Sequence, residues 1–212
     1  MKTILLTGFE PFGGNAVNPS QLVASRLNGA ELDGCRIIGA TLACEFGRSI
    51  SQLKGLMERH QPVLVVCLGL AENRADITPE RIAINVDDAR IPDNAGFQPT
   101  TRPVVDGGPA AYWSTLPIQE IVTALLDRGF PASISESAGT FVCNHVFYGL
   151  MHELSHHPDA ARGGFIHIPT LAGATSRRAR LSLEQMTEAI AIIMETSLRV
   201  QRGSAVNQRA SG

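Results

Sequence analysis

Short apolar runs that alternate with helix-period segments constrain this chain more than any other feature. Residues 3–6, 36–42, 62–68, 132–135 and 164–168 are short, partly β-branched and bounded by Gly or Pro, which is the pattern of buried strands. Between them, residues 20–27, 49–59, 118–127 and 143–154 carry apolar side chains at helical spacing. A last helix is expected from Ser182, which forms a capping-box pattern with Gln185. Its Leu183, Met186, Ile190, Ile193, Met194 and Leu198 fall on one stripe, so it should pack as an amphipathic cover. The alternation predicts a single α/β domain with a twisted, mainly parallel sheet and helices on both faces. That domain is expected to span 1–202, with a small, polar, frayed tail at 203–212.

Two stretches break the alternation. Residues 7–19 form a Gly/Pro/Phe-rich segment after the first strand, and residues 70–112 are dense in Asp, Asn, Gly and Pro, with only 81–86 strand-like. Long loops inside a compact domain are commonly functional. In open α/β sheets, ligands bind beyond the carboxyl ends of the strands, where both of these loops depart. Gly13-Gly14 is not part of a G-x-G-x-x-G or Walker pattern.

The bulk numbers exclude some partners. Net charge is −2 and no long basic run occurs, which argues against nucleic acid and anionic membranes. No apolar stretch approaches the roughly 20 residues that span a bilayer. The four cysteines, 35, 44, 67 and 143, come after no secretory pattern and are expected to be reduced thiols of a cytoplasmic protein. Three of them read as core filler.

The fourth differs in position. Gly139-Thr140-Phe141-Val142-Cys143-Asn144-His145 comes after a strand and opens a helix whose stripe is Val146, Phe147, Leu150, Met151 and Leu154. Cys143 should begin that helix on its inward face, where partial positive charge favours thiolate and free N–H groups can hold an oxyanion. By position alone it is equally readable as a small buried hydrophobe. A nucleophilic thiol needs a base and the base an orienting partner. His167, interrupting an apolar strand at its carboxyl end, is the candidate base, and Glu80 could orient its imidazole. The bland readings are a satisfied core histidine and a solvated carboxylate.

A competing motif is His152-Glu153-Leu154-Ser155-His156, which matches H-E-x-x-H, the zinc-protease pattern. At about 100° per residue, His152 and His156 lie opposite the stripe led by Cys143, and His145 falls on the same outer face. That face points to solvent rather than into a cleft, so the match reads as a coincidence of spacing. Two alternatives remain open on the residues alone: a zinc hydrolase using His152 and His156, and a catalytically silent binding protein.

Several segments together resemble the pyrrolidone-carboxylate peptidase (pyroglutamyl peptidase I) family of cysteine peptidases. They are Thr7-Gly8-Phe9-Glu10-Pro11-Phe12-Gly13-Gly14, the run from Glu80 to Asn94, Ala138 through His145, and Gly163-Gly164-Phe165-Ile166-His167-Ile168-Pro169. They occur in the family's order and cover most of the chain to about Thr170. The resemblance implies an α/β/α sandwich that removes N-terminal pyroglutamate from peptides, with no metal or cofactor, as a cytoplasmic homotetramer. It implies Glu80, Cys143 and His167 as the catalytic triad, and Arg90 beside the main-chain N–H of Cys143 at the oxyanion. It also implies Phe9, Phe12, Ile91, Phe141 and Val142 as pocket walls, with Asn18 and Leu70 adjoining. The chain departs from the family at Gly69-Leu70-Ala71-Glu72-Asn73-Arg74, where Gly-Gln-Ala-Gly-Gly-Arg is usual. A second departure is a short link between Pro169 and Ser182.

Overall fold

The computed structural model describes residues 1–157, 161–172 and 181–210, the last ten of these for their backbone only. The elements run in the order β1 (Lys2–Phe9), α1 (Pro19–Leu27), β2 (Glu31–Leu32), β3 (Cys35–Leu42), α2 (Arg48–His60), β4 (Leu64–Leu70), β5 (Thr78–Pro79), β6 (Ile82–Ile84), β7 (Ala111–Trp113), α3 (Ile118–Asp127), α4 (Val142–His156), β8 (Arg162–Ile168) and α5 (Leu183–Ala210). The main sheet has strand order β2-β3-β1-β4-β8-β5. Its four central strands run parallel, and the short β2 and β5 pair antiparallel at the two edges.

Strand periodicity sorts the core into two layers. Ile4, Leu6, Leu64, Val66, Leu68, Ile166 and Ile168 face one side with the buried residues of α1, α3 and α5. The intervening Leu5, Val65, Cys67 and Phe165 face the other with α2 and α4. The result is a three-layer sandwich, as the alternation predicts. By the same parity His167 lies on the α4 side of β8, and Gly69 pairs with it on β4.

Most predicted elements fall within two residues of their observed bounds. The capping box of α5 is formed, the Ser182 hydroxyl accepting from the Gln185 N–H at 3.2 Å and the Gln185 side chain accepting from the Ser182 N–H at 2.9 Å. The predicted stripe of α5 is buried from Met186 to Leu198. The strand expected at 132–135 is a departure: it meets the chain at 77–80 through two isolated bridges, Ile77 to Ala132 and Glu80 to Ser135. Pro79 and Pro131 lack the N–H a continuous ladder requires. Helix α5 runs without a break through Gly203 to Ala210. Ala205, Gln208, Arg209 and Ala210 are good helix formers, and one glycine does not outweigh them. Most of the link from Pro169 to Ser182 lies outside the described residues.

Helix α1 is seated by absent side chains on the sheet. A Cβ on Gly8 would run into the Ser20 carbonyl, and one on Gly39 would meet the Ala24 carbonyl and stand 2.9 Å from Asn28 Cβ. The carbonyls belong to a capped helix packed on the core, so they cannot yield cheaply. Gly39→Ala is therefore expected to destabilise the fold by about 2 kcal/mol or more. The check is a lowered urea midpoint at unchanged m value.

Candidate active site

An open cavity of about 640 Å³ lies at the carboxyl edge of the sheet. Its lining comes from the loops after β1 and β4, from the segment 88–91, from residues 137–141 leading into α4, and from Cys143 and His167. The volume suits a small ring and its immediate substituents.

Helix α4 presents Cys143 as its second residue, one position further in than the sequence suggests, because Val142 is already helical. No side chain caps this helix, so the N–H groups of its first turn have no side-chain acceptor. Gly69 is what lets the thiol reach the sheet. A Cβ there would stand 2.9 Å from Cys143 Sγ and 2.7 Å from the Phe165 ring. The sulfur thus sits over β4 directly beside the strand position of His167.

His167 is buried, and its Nδ1 lies 2.7 Å from Glu80 Oε1. The same oxygen accepts from Arg74 at 2.6 Å. Arg74 also donates to the Thr78 hydroxyl at 2.7 Å and to the Ser137 carbonyl at 3.0 Å. Burial pushes the Glu80 carboxyl up, but the hydrogen bond and charge of His167 together with the bond from Arg74 outweigh it, leaving the group below its ordinary range. Glu80 is therefore an ionised acceptor that fixes the Nδ1–H tautomer of His167 and leaves Nε2 for chemistry. Arg74 closes the segment 69–74, and its role as a clamp on Glu80 is not visible from spacing.

Burial also pushes the Cys143 thiol up, the Glu80 charge adds to this, and the Arg74 charge opposes it. Desolvation therefore opposes the helix end that favours thiolate.

Of the expected pocket residues, Phe12, Leu70, Ile91 and Phe141 line the cavity, as does Arg90. Phe12 and Phe141 pack at 6.0 Å, and Phe46 meets Phe141 edge-on at 5.5 Å to back the wall. Three expected residues lie elsewhere. Phe9 is buried in the core against Phe165, because it belongs to β1 rather than to the loop beyond it. Val142 is fully buried on the inward side of α4. Asn18 is the N-cap of α1, accepting from the Ser20 N–H at 3.1 Å and its hydroxyl at 2.8 Å while donating to the Glu10 carbonyl at 3.1 Å.

The outer face of α4 is also not as expected. His145 is buried, with Nδ1 at 2.9 Å from Asp87 and Nε2 accepting from the Gly47 N–H at 2.8 Å. Asn144 accepts from the Ile84 N–H at 3.0 Å and donates to the carbonyls of Ile84 and Val86 at 2.9 and 3.1 Å. The long middle loop therefore folds over this face and buries it. Further along, His152 Nδ1 lies 2.8 Å from the Tyr112 hydroxyl, His156 Nδ1 donates to the His152 carbonyl at 2.8 Å, and Glu153 pairs with Lys54 at 2.7 Å. The H-E-x-x-H residues are thus engaged with separate partners and lie apart from the cavity lining. Among the described residues, no group of three His, Cys, Asp or Glu side chains is arranged to hold a metal, and no helix is long and apolar enough to cross a membrane.

The family model for pyroglutamyl peptidase matches residues 2–200. The chain belongs to the pyroglutamyl peptidase family. It is 51% identical over 213 residues to a pyrrolidone-carboxylate peptidase of Klebsiella pneumoniae, covering 100% of this chain and 98% of that one. It is 49% identical over 205 residues to the enzyme of the same name from Bacillus cytotoxicus, covering 95% of each. Among solved structures it is similar to Bacillus amyloliquefaciens pyroglutamyl peptidase I, with TM-score 0.88, 48% identity and coverage of 93% of this chain and 97% of that one. The pyrrolidone carboxyl peptidase of Thermococcus litoralis matches with TM-score 0.93 at 36% identity, over 96% of each chain.

If Gly69 is what admits the sulfur, Gly69→Ala should displace Cys143 or Phe165 by a few tenths of an ångström or more. The expected result is a fall in kcat/KM of at least about tenfold at nearly unchanged thermal midpoint, since small misplacements at a reacting centre are costly. Full activity in that variant would show that the contact is not critical.

Proposed function

We infer that the protein is a cysteine peptidase that releases pyroglutamate from the N-terminus of peptides. The observation that carries this is the 2.7 Å bond from His167 Nδ1 to an ionised Glu80, with Cys143 lining the same cavity. The family assignment and the apolar walls support the substrate. Pyroglutamate is a lactam with no charged α-amine, so its ring needs apolar contacts and a few hydrogen bonds rather than an acidic partner. Phe12, Phe141 and Ile91 offer the walls. Leu70 has no side-chain amide to offer, which leaves main-chain groups of that segment for the lactam.

In this reading the Cys143 sulfur attacks the pyroglutamyl carbonyl while its proton passes to His167 Nε2. The Cys143 N–H and Arg90 hold the oxyanion of the tetrahedral intermediate. His167 then protonates the departing amine as the C–N bond breaks, leaving a thioester. Water, deprotonated by His167, attacks the thioester and releases pyroglutamate and the thiol. Glu80 keeps the imidazole oriented and stabilises its cation. Intact hydrogen bonding of Glu80 and His167 favours turnover over silent binding. We also propose a cytoplasmic homotetramer, consistent with four free cysteines, three of them buried; light scattering tests the assembly directly.

Cys143→Ala should abolish release of dye from a pyroglutamyl-coumarin amide while leaving the far-ultraviolet circular dichroism unchanged. Retained turnover would reject the nucleophile. The raised thiol predicts the pH response of the free enzyme as well. A group held above its ordinary range loses its proton only as pH rises, so the thiolate fraction at Cys143 grows through neutrality and beyond. Iodoacetamide alkylation, located by mass spectrometry, should therefore accelerate steadily from about pH 6 to about pH 9. A rate already level at the acid end of that range would mean a preformed thiolate–imidazolium pair.

A further inference from the structure

If the lactam occupies the apolar end of the cavity and its carbonyl lies at Cys143, the next residue of the substrate must leave through the mouth. The exposed charged residues lining that cavity are Glu72, Asp88 and Arg90, and the half-buried Arg74 completes the set of cations. Arg74 is committed to Glu80 at 2.6 Å. Arg90 is assigned above to the reacting carbonyl. Among the described residues, neither Glu72 nor Asp88 forms an ion pair.

Glu72 is held in place from across the mouth. The Asn15 side chain, in the loop after β1, donates to Glu72 Oε1 at 2.6 Å and joins that loop to the one after β4. A neutral donor orients the carboxylate without cancelling its charge. Asp88 is fixed by its neighbours too: its Oδ1 accepts from the Thr101 N–H at 3.3 Å, and its carbonyl accepts from the Thr140 hydroxyl at 2.7 Å. Both carboxylates are therefore oriented by hydrogen bonds, exposed in the cavity lining and without an ion pair among the described residues.

We propose, resting on the peptidase reading, that Glu72 and Asp88 form an acidic subsite for the residue after pyroglutamate, selecting peptides with Lys or Arg there and disfavouring Asp or Glu. Exposed charges at a few ångströms in water interact weakly, so the expected preference is modest: about three- to tenfold in kcat/KM between pyroglutamyl-Lys and pyroglutamyl-Glu peptides at low ionic strength. It should shrink towards one in about 0.5 M salt, where the screening length falls to a few ångströms.

The test compares pyroglutamyl-Lys, pyroglutamyl-Ala and pyroglutamyl-Glu tripeptide amides, with liberated amine measured by chromatography at low and high salt. Pyroglutamyl-coumarin, which carries no amino acid at that position, runs alongside. The expected order is Lys, Ala, Glu, and Glu72→Gln and Asp88→Asn should each compress the Lys-to-Glu ratio. Equal rates for the three peptides, a reversed order, or a preference that salt leaves untouched would overturn the subsite while coumarin turnover keeps the peptidase reading intact. Absence of coumarin turnover would instead overturn that reading. The salt series uses the unaltered protein, so the proposal stays testable should either variant fold poorly.

Discussion

A side chain at position 69 would stand 2.9 Å from the sulfur of Cys143 and 2.7 Å from the ring of Phe165. The start of α4 can therefore reach the carboxyl edge of the sheet only because β4 carries a glycine there. From this contact the rest of the site is built outward. It brings the thiol over the sheet beside the strand position of His167, whose own direction is set by strand parity, at the uncapped start of the helix. Burial of the sulfur opposes the preference for thiolate that a helix end ordinarily gives. In the proposed turnover the histidine takes the thiol proton as the sulfur attacks.

The layered fold was legible from period alone, because strands of a parallel sheet must be apolar on both faces and their helices must show a stripe. Cys143, His167 and Glu80 were legible as chemistry, the first two as reactive types at the ends of apolar elements and the third as a carboxylate able to orient an imidazole. Residues whose role depends on the partner were not. Phe9 and Asn18 flank a loop that supplies pocket residues, yet one ends a strand and the other caps a helix. No spacing rule separates them from Phe12 in the same segment. Arg74 stands in the sequence only as the end of the segment 69–74, and the fold shows it gripping Glu80.

His145 illustrates the limit in another way. Helical projection assigns it to the outer face of α4, and geometrically that is correct. At His145 it is nevertheless buried, because Asp87 and Ile84 of the middle loop bond to His145 and Asn144 and the Gly47 N–H before α2 closes over the ring. Periodicity reports which residues share a face, while the solvent of that face is decided by chain elsewhere. The density of Asp and Asn in the loop was the available signal: such side chains satisfy backbone groups where no sheet can, as Asp93 does for the N–H groups of Phe46, Ala95 and Phe97.

The bond between His167 and Glu80 closes a separation of 87 residues, and Asn144 reaches back 60 to Ile84. The first needs β8 in place and the second needs α4 docked on β6. Strands β1 and β3, by contrast, pair from Lys2 opposite Cys35, a much shorter closure. Chain connectivity thus delays the catalytic assembly to the late, entropically costly closures of folding. Because the imidazole of the site lies on β8, the last strand among the described residues, the amino-terminal layers alone cannot assemble the site.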